Sequence, residues 1–385
     1  MKQQIDSLIC TVGTSLVGHW KKGSQEWKNE RVGTIVVNSY EKLLQALKSM
    51  QKTSDGEEGE NNFCDPESDR RFGAEINSIE SLIKKKYTTE LKKIIFLVSE
   101  TYDGRNTGRI LKNFYEKKGI KCEVMEIKGL QHEDEKRFRK VGLRELVLKM
   151  VDSVHKLKEG GFNPGINATG GYKAQIAFAV LIGQVMKVPV YYRFESFPEI
   201  IVLPPLPINY DFEIWGKYYD LLDRAYGDTT VEVDDIPFDE EHSLEILFDV
   251  EGRSAILSAV GIVFFEALKK FVWEQVELPP ASERSIEERL KNIRLEKSGH
   301  IDEKFVHFCR RIIEKFNFTE GIRTVYSNPD LPKKTRFYKP PEGEVNEIRF
   351  VYSDGTKSVK GIIYTTAKTP QQQIRVIQEL NQCYN

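Results

Sequence analysis

The sequence predicts an α/β chain in three parts. A parallel sheet with helices on both faces is expected over residues 1–205, a helical connector over 206–281, and a small α+β domain over 282–385. Three observations carry this. Short continuous apolar runs such as KIIFLVS (93–99) alternate with helical periods through the first half, as strands buried on both faces do. The PPLP at 204–207 ends that alternation. From about residue 322 the pattern becomes short strand-like segments joined by turn signals, among them SDG at 353–355.

In order, residues 5–12 (IDSLICTV) read as a buried strand, 35–49 as a helix, and 52–62 (KTSDGEEGENN) as a solvated, apolar-poor loop. Helix 73–87, strand 93–99, helix 105–118, strand 121–127 and helix 141–158 follow. A short strand ends at Ile166, then come helix 172–186 and strands 188–194 and 199–203. The connector reads as helix 208–226, an acidic linker over 228–241 and a helical block over 252–275, broken by Pro279-Pro280. The last part reads as helices 282–294 and 302–316, strands 322–326, 335–339, 345–352 and 358–365, and helix 370–382.

Composition narrows the function classes. Hydrophobic residues at 40% and charged residues at 30% are ordinary for globular domains, and a net charge of −1 implies no polyanionic partner for the chain as a whole. The opening residues lack a signal-peptide pattern, and the longest apolar run (176–186) is far short of the roughly 20 residues of a membrane helix. Five scattered cysteines without a CxxC pair suggest neither a disulfide framework nor a zinc site. A cytoplasmic protein without membrane contact, metal or cofactor is expected.

Two turns carry chemistry. TVGTS (11–15) follows the first strand, and Gly13 permits a tight turn whose N–H groups, with the hydroxyls of Thr11, Thr14 and Ser15, suit phosphate oxygens. NATGGYKA (167–174) opens a helix. Asn167 and Thr169 offer polar side chains, Gly170 and Gly171 allow close backbone approach, and Lys173 adds a charge in the first helical turn. A plain strand-end turn accounts for the first about as well, but a plain N-cap does not account for two glycines and a lysine. Neither turn is GxxxxGK[ST] or GxGxxG, which disfavours a nucleoside triphosphate or a dinucleotide. Both belong at the carboxyl edge of a Rossmann-like sheet, where ligands bind.

The pair of turns resembles the CARF domain, the CRISPR-associated Rossmann fold, over roughly residues 1–205, with SETYDGR (99–105) as a further polar loop. The resemblance implies a homodimer that binds a cyclic oligoadenylate, cyclic tetra-adenylate in particular, as allosteric activator across its two-fold axis. It implies that Thr11, Gly13, Thr14, Ser15, Asn167, Thr169, Gly170, Gly171, Tyr172 and Lys173 line the cleft. Some relatives cleave their ligand, and Ser15 and Lys173 are the candidates for such ring-nuclease chemistry. Binding alone is an equal reading.

Two ribonuclease readings compete for the rest. Arg294 and His300 (RLEKSGH) fit the R-x4-6-H spacing of a HEPN domain, but that fold is helical throughout and the tail reads as strands. The stronger resemblance is to RelE-type toxins, HigB-like ones especially, carried by EIRF (347–350) and AKTP (367–370). Residues 321–385 hold ten basic against six acidic residues, a net +4, and interleave them with Phe337, Tyr338, Tyr352 and Tyr364, which suits RNA. A solvated strand face with alternating charge explains any single lysine equally well. The resemblance implies metal-independent mRNA cleavage on the ribosome in type III CRISPR defence. Arg349 is the leading catalytic cation, and Lys360, Lys339, Tyr364 and Lys368 are further candidates. The connector resembles the winged helix-turn-helix segments often found behind CARF domains, but a solvated linker is the preferred reading of it. That leaves a ligand-gated transcription regulator as the reading without a nuclease.

Overall fold

The computed structural model describes residues 4–22, 26–52, 64–194, 197, 199–206, 213–226, 230–237, 244–295, 302–327, 334–340, 343–355 and 358–384. The chain divides into two compact units, Met1–Ile208 with Ser258–Val263, and Asn209–Leu257 with Phe264–Asn385.

The first unit is built on a six-stranded sheet. Its strands are β1 (Ile5–Thr11), β2 (Thr88–Ser99), β3 (Lys121–Ile127), β4 (Pro164–Asn167), β5 (Val190–Tyr192) and β6 (Ile201–Leu203), in the order β6-β5-β4-β1-β2-β3. All pairs are parallel except β5–β6. The helices are α1 (Ser15–Trp20), α2 (Tyr40–Lys52), α3 (Gly73–Lys84), α4 (Tyr102–Glu116), α5 (Leu143–Glu159) and α6 (Lys173–Met186).

Alternation along β1 assigns the two faces. Leu8 and Cys10 join Phe96 and Val98 in a core with Trp20, Leu43, Phe72, Ile76, Ile79 and Phe114. Ile9, Ile95 and Leu97, also buried, point to the opposite face, where α5 packs along β1 to β4. Each such aliphatic or aromatic side chain contributes roughly 1.5–3 kcal/mol on full burial. The chain runs outward from β1 through β2 to β3, then returns to the other side of β1 for β4. The crossover direction therefore reverses between β1 and β4, and the loops that follow these two strands flank the switch point.

The expected helix at 35–49 starts late. Ile35–Val36 pairs with Arg31–Val32 as a two-residue hairpin, and the helix begins at Tyr40 behind Ser39, whose Oγ accepts the Lys42 N–H at 3.2 Å. The loop expected at 52–62 lies, from residue 53 on, outside the described residues.

The second unit holds α7 (Glu213–Arg224) and an antiparallel sheet of β7 (Val231–Glu232), β8 (Phe248–Glu251) and β9 (Ser254–Leu257), in the order β7-β9-β8. It also holds α8 (Ala259–Gln275) from Phe264 onward. A second sheet comprises β10 (Ile293–Arg294), β11 (Thr319–Ser327), β12 (Arg336–Tyr338), β13 (Glu347–Ser353) and β14 (Ser358–Thr365), in the order β10-β11-β14-β13-β12. Only β10–β11 is parallel. α9 (Ile286–Lys291), α10 (Glu303–Lys315) and α11 (Pro370–Tyr384) complete the unit. Its core is aromatic: Phe308 lies 5.8 Å from Phe350 and 4.6 Å from Tyr352, ring centre to ring centre, and Phe337 closes the cluster.

Three expectations change here. The helical block at 252–275 opens as a hairpin turning at Gly252 (φ +62°), and the helix begins only at Ala259. The acidic stretch at 228–241 is not wholly linker, because Val231–Glu232 joins a sheet and Val233–Asp235 forms a helical turn. Helix 282–294 shrinks to 286–291. A Ser285/Glu288 capping box starts it, and Asn292, whose side chain donates to the Glu320 carbonyl at 2.9 Å, ends it and releases Ile293 and Arg294 into a strand. The division expected at 281/282 is crossed by packing. The guanidinium of Arg375 sits 3.8 Å from the Trp273 ring centre, and Thr366 Oγ1 donates to the Pro280 carbonyl at 2.5 Å. No helix among the described residues is long and apolar enough to cross a membrane.

Candidate ligand cleft and candidate nuclease face

The turns after β1 and β4 meet. Thr11 Oγ1 donates to the Gly170 carbonyl at 2.6 Å. A Cβ on Gly13 would stand 2.7 Å from the Gly171 nitrogen, so the approach requires glycine. Gly171 has φ +99°, and a Cβ there would lie 1.6 Å from Gln175 Oε1. That oxygen accepts the Tyr172 N–H at 3.0 Å and fixes the start of α6.

Between the turns sits a residue the sequence reading missed. Glu75, in the first turn of α3, is 1% exposed. Its carboxylate accepts the Gly13 N–H at 2.7 Å and the Ser15 hydroxyl at 3.2 Å. Burial pushes the Glu75 carboxyl above the usual range, and the hydrogen bonds from Gly13 and Ser15 pull it partly back. The donors expected to meet a phosphate from Gly13 and Ser15 are therefore engaged by a carboxylate of the protein itself. A signal for Glu75 was present: 75, 79 and 82 fall at i, i+4 and i+7, and both Ile79 and Leu82 are buried.

The expected ligand residues sort by exposure. Thr11 and Asn167 are buried framework. Asn167 Nδ2 donates to Ser78 Oγ at 2.8 Å, and Thr169 Oγ1 donates to Asn167 Oδ1 at 2.7 Å. Thr169 Oγ1 in turn accepts the Arg193 N–H at 3.1 Å, and Gly170 is buried against Glu75. Thr11, Asn167, Thr169 and Gly170 hold the two turns together, and of them only Thr169 is partly exposed. Thr14, Ser15, Gly171 and Lys173 are exposed, and Tyr172 is half-buried with its hydroxyl 3.4 Å from His132 Nδ1. The loop at 99–105 is largely satisfied internally. Thr101 Oγ1 accepts the Gly104 N–H at 3.0 Å, and Lys21 Nζ pairs with Asp103 at 2.9 Å beside the Tyr40 hydroxyl. Tyr102 is 68% exposed.

In the second unit, the register of β13 and β14 defines two faces, and Val351 and Ile362 are buried on the face opposite the aromatic core. Ile348, Phe350 and Ile363 are buried on the aromatic side. Glu347 faces Tyr364, Arg349 faces Ile362 and Val351 faces Lys360 across the ladder, all on the other side. Arg349, Lys360 and Tyr364 therefore share one sheet face, and Tyr338 of β12 registers beside Arg349. Burial pushes the Tyr338 phenol up, while Arg349 and Arg336 act against it. Lys339 is half-buried, and burial lowers its ammonium below the usual range. It follows β12 and is not on that strand face. Lys368 is exposed on the loop before α11, its N–H bound to Gln372 Oε1 at 2.9 Å, and is likewise apart. The helix required by a HEPN motif is missing at Arg294, which lies on β10, while His300 lies outside the described residues. No group of three or more His, Cys, Asp or Glu side chains suited to a metal occurs among the described residues.

Residues 70–206 match the model of a family described as CRISPR-associated protein (Cas_APE2256). The matched segment contains Glu75 and the turn at 167–174 but not the turn at 11–15. Two solved structures are similar. One is protein VC1899 from Vibrio cholerae, at 11% identity over 72% of this chain and 71% of that one, with a TM-score of 0.21. The other is Can2 from Sulfobacillus thermosulfidooxidans in complex with cyclic tetra-adenylate, at 11% identity over 98% of this chain and 86% of that one, with a TM-score of 0.22. At these scores neither likeness bears on individual residues.

Proposed function

We propose that this protein is a cyclic-oligoadenylate-activated ribonuclease of CRISPR defence: the first unit senses the ligand, cyclic tetra-adenylate by preference, and the second cuts RNA. The observation that carries the reading is the meeting of the turns at 11–15 and 167–173 across the switch point between β1 and β4. The family match over residues 70–206 supports the CRISPR setting.

In this reading Thr14, Ser15, Gly171, Tyr172 and Lys173 contact the ligand. Thr11, Gly13, Asn167, Thr169 and Gly170 shape the cleft. Two copies of the chain bring the same turns to a two-fold symmetric ring. Glu75 neutralises the Gly13 and Ser15 donors, so ligand phosphates are met by Lys173 and by the remaining backbone of the two turns.

RNA cleavage in the second unit follows 2′-hydroxyl chemistry. The 2′-oxygen attacks the adjacent phosphorus, the 5′-oxygen leaves, and a 2′,3′-cyclic phosphate remains. Arg349 stabilises the charge on the phosphorane, and Lys360 and Tyr364 stand on the same face to orient the strand and move protons. Lys339, half-buried and off that strand face, is left outside the reaction centre. The substrate is mRNA, met on the ribosome. Ligand control requires that cyclic tetra-adenylate bind the active state more tightly than the inactive one.

The test is cleavage of mRNA by the full chain with and without cyclic tetra-adenylate, with and without ribosomes, and with the ligand itself followed by chromatography. Cleavage that depends on the ligand and falls by about 10²–10³-fold in Arg349→Ala is expected. Ligand-independent cleavage, or a loss under tenfold in Arg349→Ala, refutes the reading. Loss of intact ring, abolished by Lys173→Ala, would add ring-nuclease activity at Ser15 and Lys173.

A further inference from the structure

One cation pair belongs to none of the sites above. β10 and β11 pair in parallel with Arg294 directly beside Arg323. In-register partners on neighbouring strands, about 4.8 Å apart, project their side chains to the same face. Both arginines are exposed, and neither makes an ion pair or side-chain hydrogen bond among the described residues. Like charges placed side by side destabilise a sheet unless something neutralises them. They line a cleft of about 340 Å³ with Leu295, Thr324 and Val325, and Val325 is an apolar side chain left 46% exposed.

The register extends this pair across the sheet. Arg323 stands opposite Ile362, Ile362 opposite Arg349, and Arg349 opposite Tyr338. Arg294, Arg323, Ile362, Arg349 and Tyr338 thus form one cross-strand row on one face. At about 4.8 Å per strand, Arg323 lies roughly 10 Å from Arg349 along the row and Arg294 roughly 14 Å. The row runs from a half-buried guanidinium at the proposed reaction centre, past the buried Ile362, to two exposed guanidiniums beside an apolar floor.

We infer that the Arg294–Arg323 cleft is a phosphate subsite for a single RNA strand, holding phosphodiesters flanking the bond that Arg349 acts on. Guanidinium forks bind phosphate oxygens in pairs, and the exposed Val325 supplies a surface for a ribose or base. The inference rests on the reading of the second unit as a ribonuclease and adds to it where the strand runs.

The probe is a short single-stranded oligoribonucleotide with 2′-O-methyl groups, which cannot be cut by 2′-hydroxyl attack. Its binding to the full chain is followed by fluorescence anisotropy across a salt series. Arg294→Ala with Arg323→Ala should weaken binding at least tenfold. It should also flatten the slope of log affinity against log salt by about 0.7–1.4, the release of one or two phosphate contacts on a single strand. Arg294→Lys with Arg323→Lys should restore the slope and part of the affinity. On cleavable RNA the alanine pair should raise KM while kcat holds. Unchanged affinity and slope in the alanine pair, with cleavage still lost in Arg349→Ala, overturn the subsite and leave the ribonuclease standing. A wild-type chain that neither binds nor cuts RNA overturns both.

Discussion

Replacing Gly13 with alanine tests the junction of the two turns. The new Cβ would meet the Gly171 nitrogen at 2.7 Å and its Cα at 3.2 Å, against 3.4 Å for ordinary contact, so the turns must separate by about 0.7 Å. The atoms met are backbone, with no flexible side chain to swing away. Overpacking of this kind costs about 1–3 kcal/mol. A ligand held by both turns must close that gap again on binding, which converts to roughly 5- to 150-fold in affinity. Gly18 is the control, because a Cβ there meets nothing within 4 Å and the residue lies inside a helix. Gly18→Ala should stabilise by about 0.5–1 kcal/mol and leave ligand affinity alone. The assay is urea unfolding of both variants, with calorimetric titration of cyclic tetra-adenylate. Gly13→Ala that binds the ligand with wild-type affinity would refute the argument that the two turns act as one cleft.

Three further outcomes follow from particular contacts. Burial raises the Glu75 carboxyl in the folded state, so the folded chain holds that proton more tightly than the unfolded one. The stability it contributes is complete below the unfolded value of about 4.3 and is lost as pH rises through the folded one. Glu75→Gln carries no such dependence, so its urea midpoint relative to wild type should increase from pH 4 towards pH 7, and a flat or falling difference would contradict the burial argument. Arg349→Ala should lower the rate of RNA cleavage by about 10²–10³-fold with partial recovery in Arg349→Lys, and a loss under tenfold in single-turnover assays would remove it from the reaction centre. Phe350, fully buried among Phe305, Phe308 and Phe337, should cost about 3–5 kcal/mol on truncation to alanine, measured as the shift in denaturant midpoint; a loss under 1 kcal/mol would contradict the aromatic core.

How much of this was legible in the sequence depended on the range of the cause. Lys121–Ile127 and Ser358–Thr365 match the segments read from the sequence, because strand patterning and turn residues are local signals. The pattern predicts helix through Ser254–Leu257 because SAIL runs into the apolar AVGIVFF with only Ser258 between them, whose Oγ accepts the Gly261 N–H at 3.1 Å. The two-residue hairpin strands near residues 31–36 are too short to carry a period. The two turns announced themselves through glycine, threonine and asparagine. What occupies their donors did not, since Gly13 and Glu75 are 62 residues apart and only folding joins them. The same limit hid the row from Arg294 to Tyr338: four ladders of register align those five residues, and no spacing along the chain does.

Amide hydrogen exchange with and without cyclic tetra-adenylate tests most directly whether residues 11–15 and 167–173 are halves of a single ligand site. The account predicts that both segments slow together as the ligand saturates, with the same midpoint, and that Lys173→Ala shifts that midpoint to higher concentration for both. Protection confined to one segment, or absent from both at saturating ligand, would contradict it.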